Sequence, residues 1–124
     1  MTESIKTFTE LRTWQKAREF AVEIYRTTLK LPISERYGLA SQLQRASVSV
    51  AANIAEGFSR NTEKEKVNFY AMSLGSLTEV QSHLYIATDL EFFTKDELTK
   101  LINETIELHK MINGLKKSAK GRNT

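Results

Sequence analysis

Gln42, Arg45, Asn53 and Glu56 punctuate the least charged part of this sequence. Residues 46–55 between them carry no charge and are small or apolar apart from serines and Asn53. A polar group buried there needs a partner, because an unpaired buried charge is very costly. One reading pairs Arg45 with a carboxylate, Glu79 or Glu56 of the partner subunit, and so fixes helix register. The other is a ligand pocket around Asn53 and Glu56. Together with Ser49 and Ala52, these residues are the candidates for an oligomer interface.

The other reactive side chains give little. A dimetal bundle uses inward Glu-x-x-His pairs. Here Glu79 precedes His83 by four, and Glu104 and Glu107 precede His109 by five and two. That is not the ligand pattern, so no metal and no cofactor are expected. There is no cysteine, which rules out disulfides, zinc–thiolate sites and thiol catalysis. Ser41, Ser47, Ser49, Ser73, Ser76 and Ser82 read as helical packing residues, with no histidine beside them in sequence. No glycine-rich phosphate loop or nucleophile elbow is present. No catalytic residue is assigned, and the chain reads as non-enzymatic. Trp14 and Tyr25 have rings that can stack on bases, but both sit on an apolar helical stripe, which favours the core.

The cations are informative. Lys110, Lys116, Lys117, Lys120 and Arg122 lie between His109 and the end of the sequence, with no acid among them. The whole chain has 18 cations and 15 acids, so the residues before His109 are slightly acidic on balance. Cations complement the C-terminal end of a helix dipole. They also suit a phosphate backbone. These five are the candidate nucleic-acid-binding residues.

Four amphipathic segments must position these groups. The first spans about 9–31, with Trp14, Ala17, Ala21, Ile24, Thr28 and Leu31 on one face. Thr7 and Glu10 have capping-box spacing at its start, and Pro32 ends it. Its mixed-charge face, which includes Lys16, Glu23 and Lys30, reads as solvated. The second spans about 34–56, with Ser34 as cap and Gly57 as stop. Its charge-free half has surplus apolar surface, which another subunit would most naturally cover. The third spans about 62–89 and the fourth about 94–117, opened by the capping boxes Thr62/Glu65 and Thr94/Glu97. Gly75 falls in mid-helix, where glycine costs about 1 kcal/mol relative to alanine.

Short connections make consecutive helices antiparallel neighbours. The fold expected is all-α, an antiparallel up-down-up-down four-helix bundle. Residues 1–8 form an N-terminal extension, 9–117 the bundle, and 118–124 a basic, frayed tail. With 124 residues, the chain suits one domain. No apolar stretch follows a basic start, and no run approaches a membrane span. A cytoplasmic location without membrane contact is expected.

The stretches Trp14–Arg18, Tyr37–Leu39, Gln42–Ala46, Asn53–Phe58 and Leu74–Leu77 with Glu79 resemble one known group. These are the four-helix bundle proteins encoded in intervening sequences of bacterial 23S rRNA genes, related to the accessory variability determinant of diversity-generating retroelements. The resemblance covers about residues 8–115. It departs at Lys66, where members often carry phenylalanine, and at Glu91, where many carry glycine. It implies a ring-like homopentamer with a central channel and no known catalytic activity. Its retroelement members bind nucleic acid and a reverse transcriptase through a positively charged surface. The expected function is an oligomeric bundle that binds structured RNA or DNA as an accessory factor. The alternative is a protein–protein scaffold that docks a partner such as a polymerase or reverse transcriptase without touching nucleic acid.

Overall fold

The computed structural model describes residues 5–121, and among them all regular structure is helical. The described residues form four long helices: α1 (Arg12–Thr28), α2 (Leu39–Ser59), α3 (Glu63–Asp89) and α4 (Lys95–Gly121). None of them is long and apolar enough to cross a membrane. Ile24, Leu43, Ile54, Leu77, Leu84 and Leu108 are fully buried along a shared core. Each such side chain contributes about 1.5–3 kcal/mol by leaving water.

Capping chemistry fixes the helix starts, with two departures from the sequence expectation. Thr94 and Glu97 form a reciprocal box, with backbone-to-side-chain distances of 2.8 and 3.1 Å. Thr62 Oγ1 accepts the Glu65 amide at 3.2 Å. The Thr7/Glu10 box also forms, but on a short 3-10 turn, Phe8–Glu10. Leu11 then turns extended and is buried, so α1 begins at Arg12 rather than 9. Burying that leucine outweighs an unbroken helix. Ser34 is not the cap of α2. It lies in a second 3-10 turn, Ile33–Glu35, and the Glu35 carboxylate accepts the Leu39 amide at 3.1 Å.

The helix ends differ too. Gly57 does not stop α2, which runs on to Ser59. A Cβ at Gly57 would lie 2.6 Å from Cε1 of the buried Tyr70 ring, so glycine is there for packing. Lys66 donates to the Phe58 carbonyl at 2.7 Å and so caps α2 from α3. After α3, the Phe92 amide reaches the Ala87 carbonyl and the Glu91 amide reaches Thr88. This is the Schellman arrangement, with Glu91 at φ 65° in the position that favours glycine. The α4 helix passes the expected boundary at Lys117 and buries Ala119. Residues 118–121 of the expected tail are thus helical, and 122–124 lie outside the described residues.

Polar ties set register between helices. Ser73 Oγ donates to the Val50 carbonyl at 2.7 Å, and Ser49 and Ser76 hydroxyls meet at 2.8 Å. Gln81 of α3 donates to Thr105 of α4 at 2.8 Å. Gln44 of α2 donates to Thr28 of α1 at 3.0 Å.

The seam between α1 and α4 is ionic. Lys16 pairs with Glu107 at 3.2 Å, Lys30 with Glu97, and Lys100 with Glu23. Part of the face expected to be solvated therefore fastens two helices. Within this seam Glu104 Oε2 is buried without a hydrogen-bond donor. Burial, and then the neighbouring Glu23 carboxyl, push the Glu104 pKa up to about 7. A proton on Glu104 supplies the missing donor toward Glu23. Burial opposes ionisation of Glu23, but hydrogen bonds from Glu104 and Lys100 overcome it and hold its pKa below the usual value.

The folded pKa of Glu104 is raised, so its contribution is full below the unfolded value, about 4.5, and is lost as pH rises through about 7. Solvent screening at this partly exposed site limits that loss to about 1 kcal/mol. The wild-type melting temperature should fall by a few degrees from pH 5 to 8 through this group. Glu104→Gln should hold the low-pH stability across the range. A variant with the wild-type slope in thermal melts would exclude Glu104 as its source.

Candidate nucleic-acid and assembly interfaces

The cations beyond His109 collect on the last turns of one helix. Lys110, Lys117 and Lys120 are exposed on α4, and Lys116 is half-buried. Arg122 lies outside the described residues. Helix α4 continues past Lys117, so these groups stand on ordered backbone at the end where a helix dipole favours positive charge.

Packing brings α3 to the same place. Lys120 shares an open recess with Thr62, Glu63, Lys64 and Val67 at the start of α3. The exposed Lys64 thereby joins the α4 lysines, although the sequence reading did not select it. Its only signal was a position one residue past the first residue of a capped helix. Arg60, just after α2, is paired with Glu56 at 2.7 Å and stacks over Phe69 at 4.6 Å from the ring centre. The surface is therefore a set of lysines on α4 extended by Lys64, with Glu63 as an acid beside it.

The α2 candidates divide between its outer side and its contact with α3. Gln42, Arg45, Ala52 and Glu56 are exposed, whereas Ser49 and Asn53 are half-buried. Asn53 donates to the Ser49 carbonyl at 2.9 Å and to its hydroxyl at 3.1 Å. Ser49, Asn53 and Ser76 thus form one small network between α2 and α3. Arg45 does not pair with Glu79 or Glu56 within the chain. Glu56 is taken by Arg60, and Glu79 lies 3.2 Å from His83. No intrachain register pair forms at Arg45. Among the described residues, no three His, Asp or Glu side chains converge as metal ligands.

The charge-free half of α2 is only partly covered. Ala46, Ser47, Val50 and Ile54 are buried, but Val48 is 45% exposed and Ala52 is exposed. Beside Val48, an open groove of about 460 Å³ runs between α1 and α2, lined by Trp14, Ala21, Val22, Tyr25, Val48 and Ala51. Arg18 and Arg26 complete its lining, and no acid does. Trp14 is half-buried, with Phe8 edge-on at 5.0 Å and the Arg18 guanidinium over its ring at 4.8 Å. Tyr25 is exposed rather than core. It follows Trp14 by three helical turns along one edge of α1, where it meets the groove instead of the interior.

The model of one protein family, described as 23S rRNA-intervening sequence protein, matches residues 9–114. Among solved structures, the chain is similar to a Bacteroides thetaiotaomicron protein of unknown function from the S23 ribosomal protein family. The TM-score is 0.75 at 22% identity, covering 85% of this chain and 98% of that one. At that identity the likeness establishes the fold. No curated protein matches significantly.

Proposed function

The chain belongs to the 23S rRNA-intervening sequence protein family, and from that membership we propose that it is a non-enzymatic, self-assembling bundle that binds structured RNA or DNA. Residue pairs along the α2–α3 and α1–α4 seams run in opposite order, as in Val50–Ser73 with Ser49–Ser76, and Lys16–Glu107 with Lys30–Glu97. That order supports an up-down-up-down arrangement. The uncovered side of α2 supports assembly into a homo-oligomeric ring, which the family resemblance puts at five copies. No membrane-spanning helix is seen among the described residues, in keeping with action in the cytoplasm.

One observation carries the binding assignment. The last turns of α4 present Lys110, Lys116, Lys117 and Lys120 with no acid on the helix beyond His109, and Lys64 of α3 joins them. In a ring these surfaces repeat, and multivalency converts weak phosphate contacts into useful affinity. No base-reading element is needed, so affinity should depend more on backbone charge than on sequence.

The test is a titration of protein freed of co-purified nucleic acid with structured RNA and duplex DNA at about 50 and 200 mM salt. Binding should weaken steeply with salt, because each phosphate contact releases a counterion. Absence of binding at the lower salt overturns the reading and turns attention to a protein partner docked without nucleic acid.

A further inference from the structure

Two exposed apolar surfaces of this chain carry opposite charge. The first is the α1–α2 groove, with Arg18 and Arg26 in its lining. Arg45 lies one helical turn before Val48, and residues 36–55 contain no acid. The second is the outer side of α3. Met72, Glu79 and Ile86 recur there every seven residues, a spacing that keeps them on one helical face, and Leu90 continues the row. Met72, Ile86 and Leu90 are 49, 47 and 54% exposed. Gly75 and Ser82 keep the row low between its larger side chains, and beyond the adjoining helix backbone and chain neighbours no atom lies within 4 Å of where a Gly75 Cβ would be. Residues 67–94 carry Glu79, Asp89 and Glu91 and no Lys or Arg.

We infer that the α1–α2 groove of one copy receives the α3 ridge of the next. This rests on the self-assembly proposed above and names the surfaces that perform it. The groove offers a concave apolar floor with cations, and the ridge offers a convex apolar row with acids. The two share no residue. A contact between two different surfaces of identical chains is heterologous, and it closes into a ring when the rotation permits. Matching charges set the register, and their wrong pairing, groove on groove or ridge on ridge, places like charges together.

The absence of cysteine from the sequence gives a clean test on the full chain. Light scattering first gives the wild-type mass. A double variant, Val48→Cys with Ile86→Cys, is then oxidised and run without reductant beside each single variant. Both positions are exposed, so folding is preserved. The expected result is a ladder of covalent multimers from the double variant and none from either single one. In a second arm, Arg18→Glu with Arg26→Glu should reduce the mass to the 14.2 kDa monomer. Adding Glu79→Lys and Asp89→Lys should restore the oligomer, which also shows that the chain folds.

The outcomes separate the two readings. A wild-type monomer at every concentration removes both self-assembly and this contact. An oligomer that gives no ladder, or a covalent dimer from one single variant, overturns the groove–ridge contact and leaves self-assembly standing. An oligomer indifferent to Arg18→Glu with Arg26→Glu also overturns it, as when the groove serves an acidic helix of another protein.

Discussion

Gly57→Val is expected to destabilise the protein by about 3 kcal/mol or more, at the upper end of what overpacking costs. Even the first carbon of a side chain would sit 2.6 and 2.9 Å from two ring atoms of Tyr70 and 3.2 Å from Cβ of Phe69. Tyr70 is only 3% exposed, so its ring has nowhere to swing. The β-branch of valine adds further volume in a helix that already disfavours it. Alanine would gain about 1 kcal/mol of helix propensity over glycine, yet it meets the same ring. Gly75 supplies the contrast, since a Cβ there meets nothing within 4 Å. Gly75→Ala should stabilise the single chain by up to about 1 kcal/mol. Denaturant midpoints of the two variants, read with unchanged slope, test the pair. Equal effects at both glycines would show that Tyr70 does not enforce the first.

The second large effect concerns nucleic acid. Replacing Lys110, Lys116, Lys117 and Lys120 together with glutamine should lower affinity for RNA or duplex DNA on the order of 100-fold at low salt. The plot of log affinity against log salt should flatten by about 0.9 for each lost duplex phosphate contact, and slightly less for single strands. Glutamine retains helix propensity close to that of lysine, so α4 should survive, and circular dichroism checks that. Lys95→Gln is the control. It changes charge equally per site but sits at the first residue of α4, roughly 22 to 38 Å along the helix from the four lysines. If the fourfold variant bound as tightly as wild type, the α4 surface would not be the phosphate-binding one.

Local signals account for what the sequence revealed. The boxes Thr62/Glu65 and Thr94/Glu97 are complete within four residues, so their spacing alone placed the starts of α3 and α4. The first core stripe was legible for the same reason, as at Ala17 and Ile24, because helical periodicity is a property of one segment. Gly57 was misread as a stop because the reason for it is Tyr70, on another helix. Ser34 was misread because Glu35 and Leu39 make the competing cap. The α1–α4 seam was missed as a seam: Lys16 and Glu23 look solvated until α4 lies beside them. For the candidate surfaces, the clustered lysines were visible in sequence, but Lys64 joins them only through tertiary packing. Arg45 and Glu56 drew notice through their contrast with a charge-free stretch. The structure places both on the exposed side of α2.

The unequal seams also set an order of assembly in time. The α2–α3 contacts link residues close in sequence, such as Val50 and Ser73, 23 positions apart, and Lys66 ties the corner between the helices. The α1–α4 contacts, such as Glu23 with Lys100, span 77 positions. Closing the longer loop costs more chain entropy before any contact compensates for it. The α2–α3 hairpin is therefore expected to form before the α1–α4 seam closes. Ionic contacts made that late act mainly on the rate of unfolding. Variants of the α1–α4 ion pairs should therefore show mainly in the unfolding rate, and variants at the Gly57 corner in the folding rate.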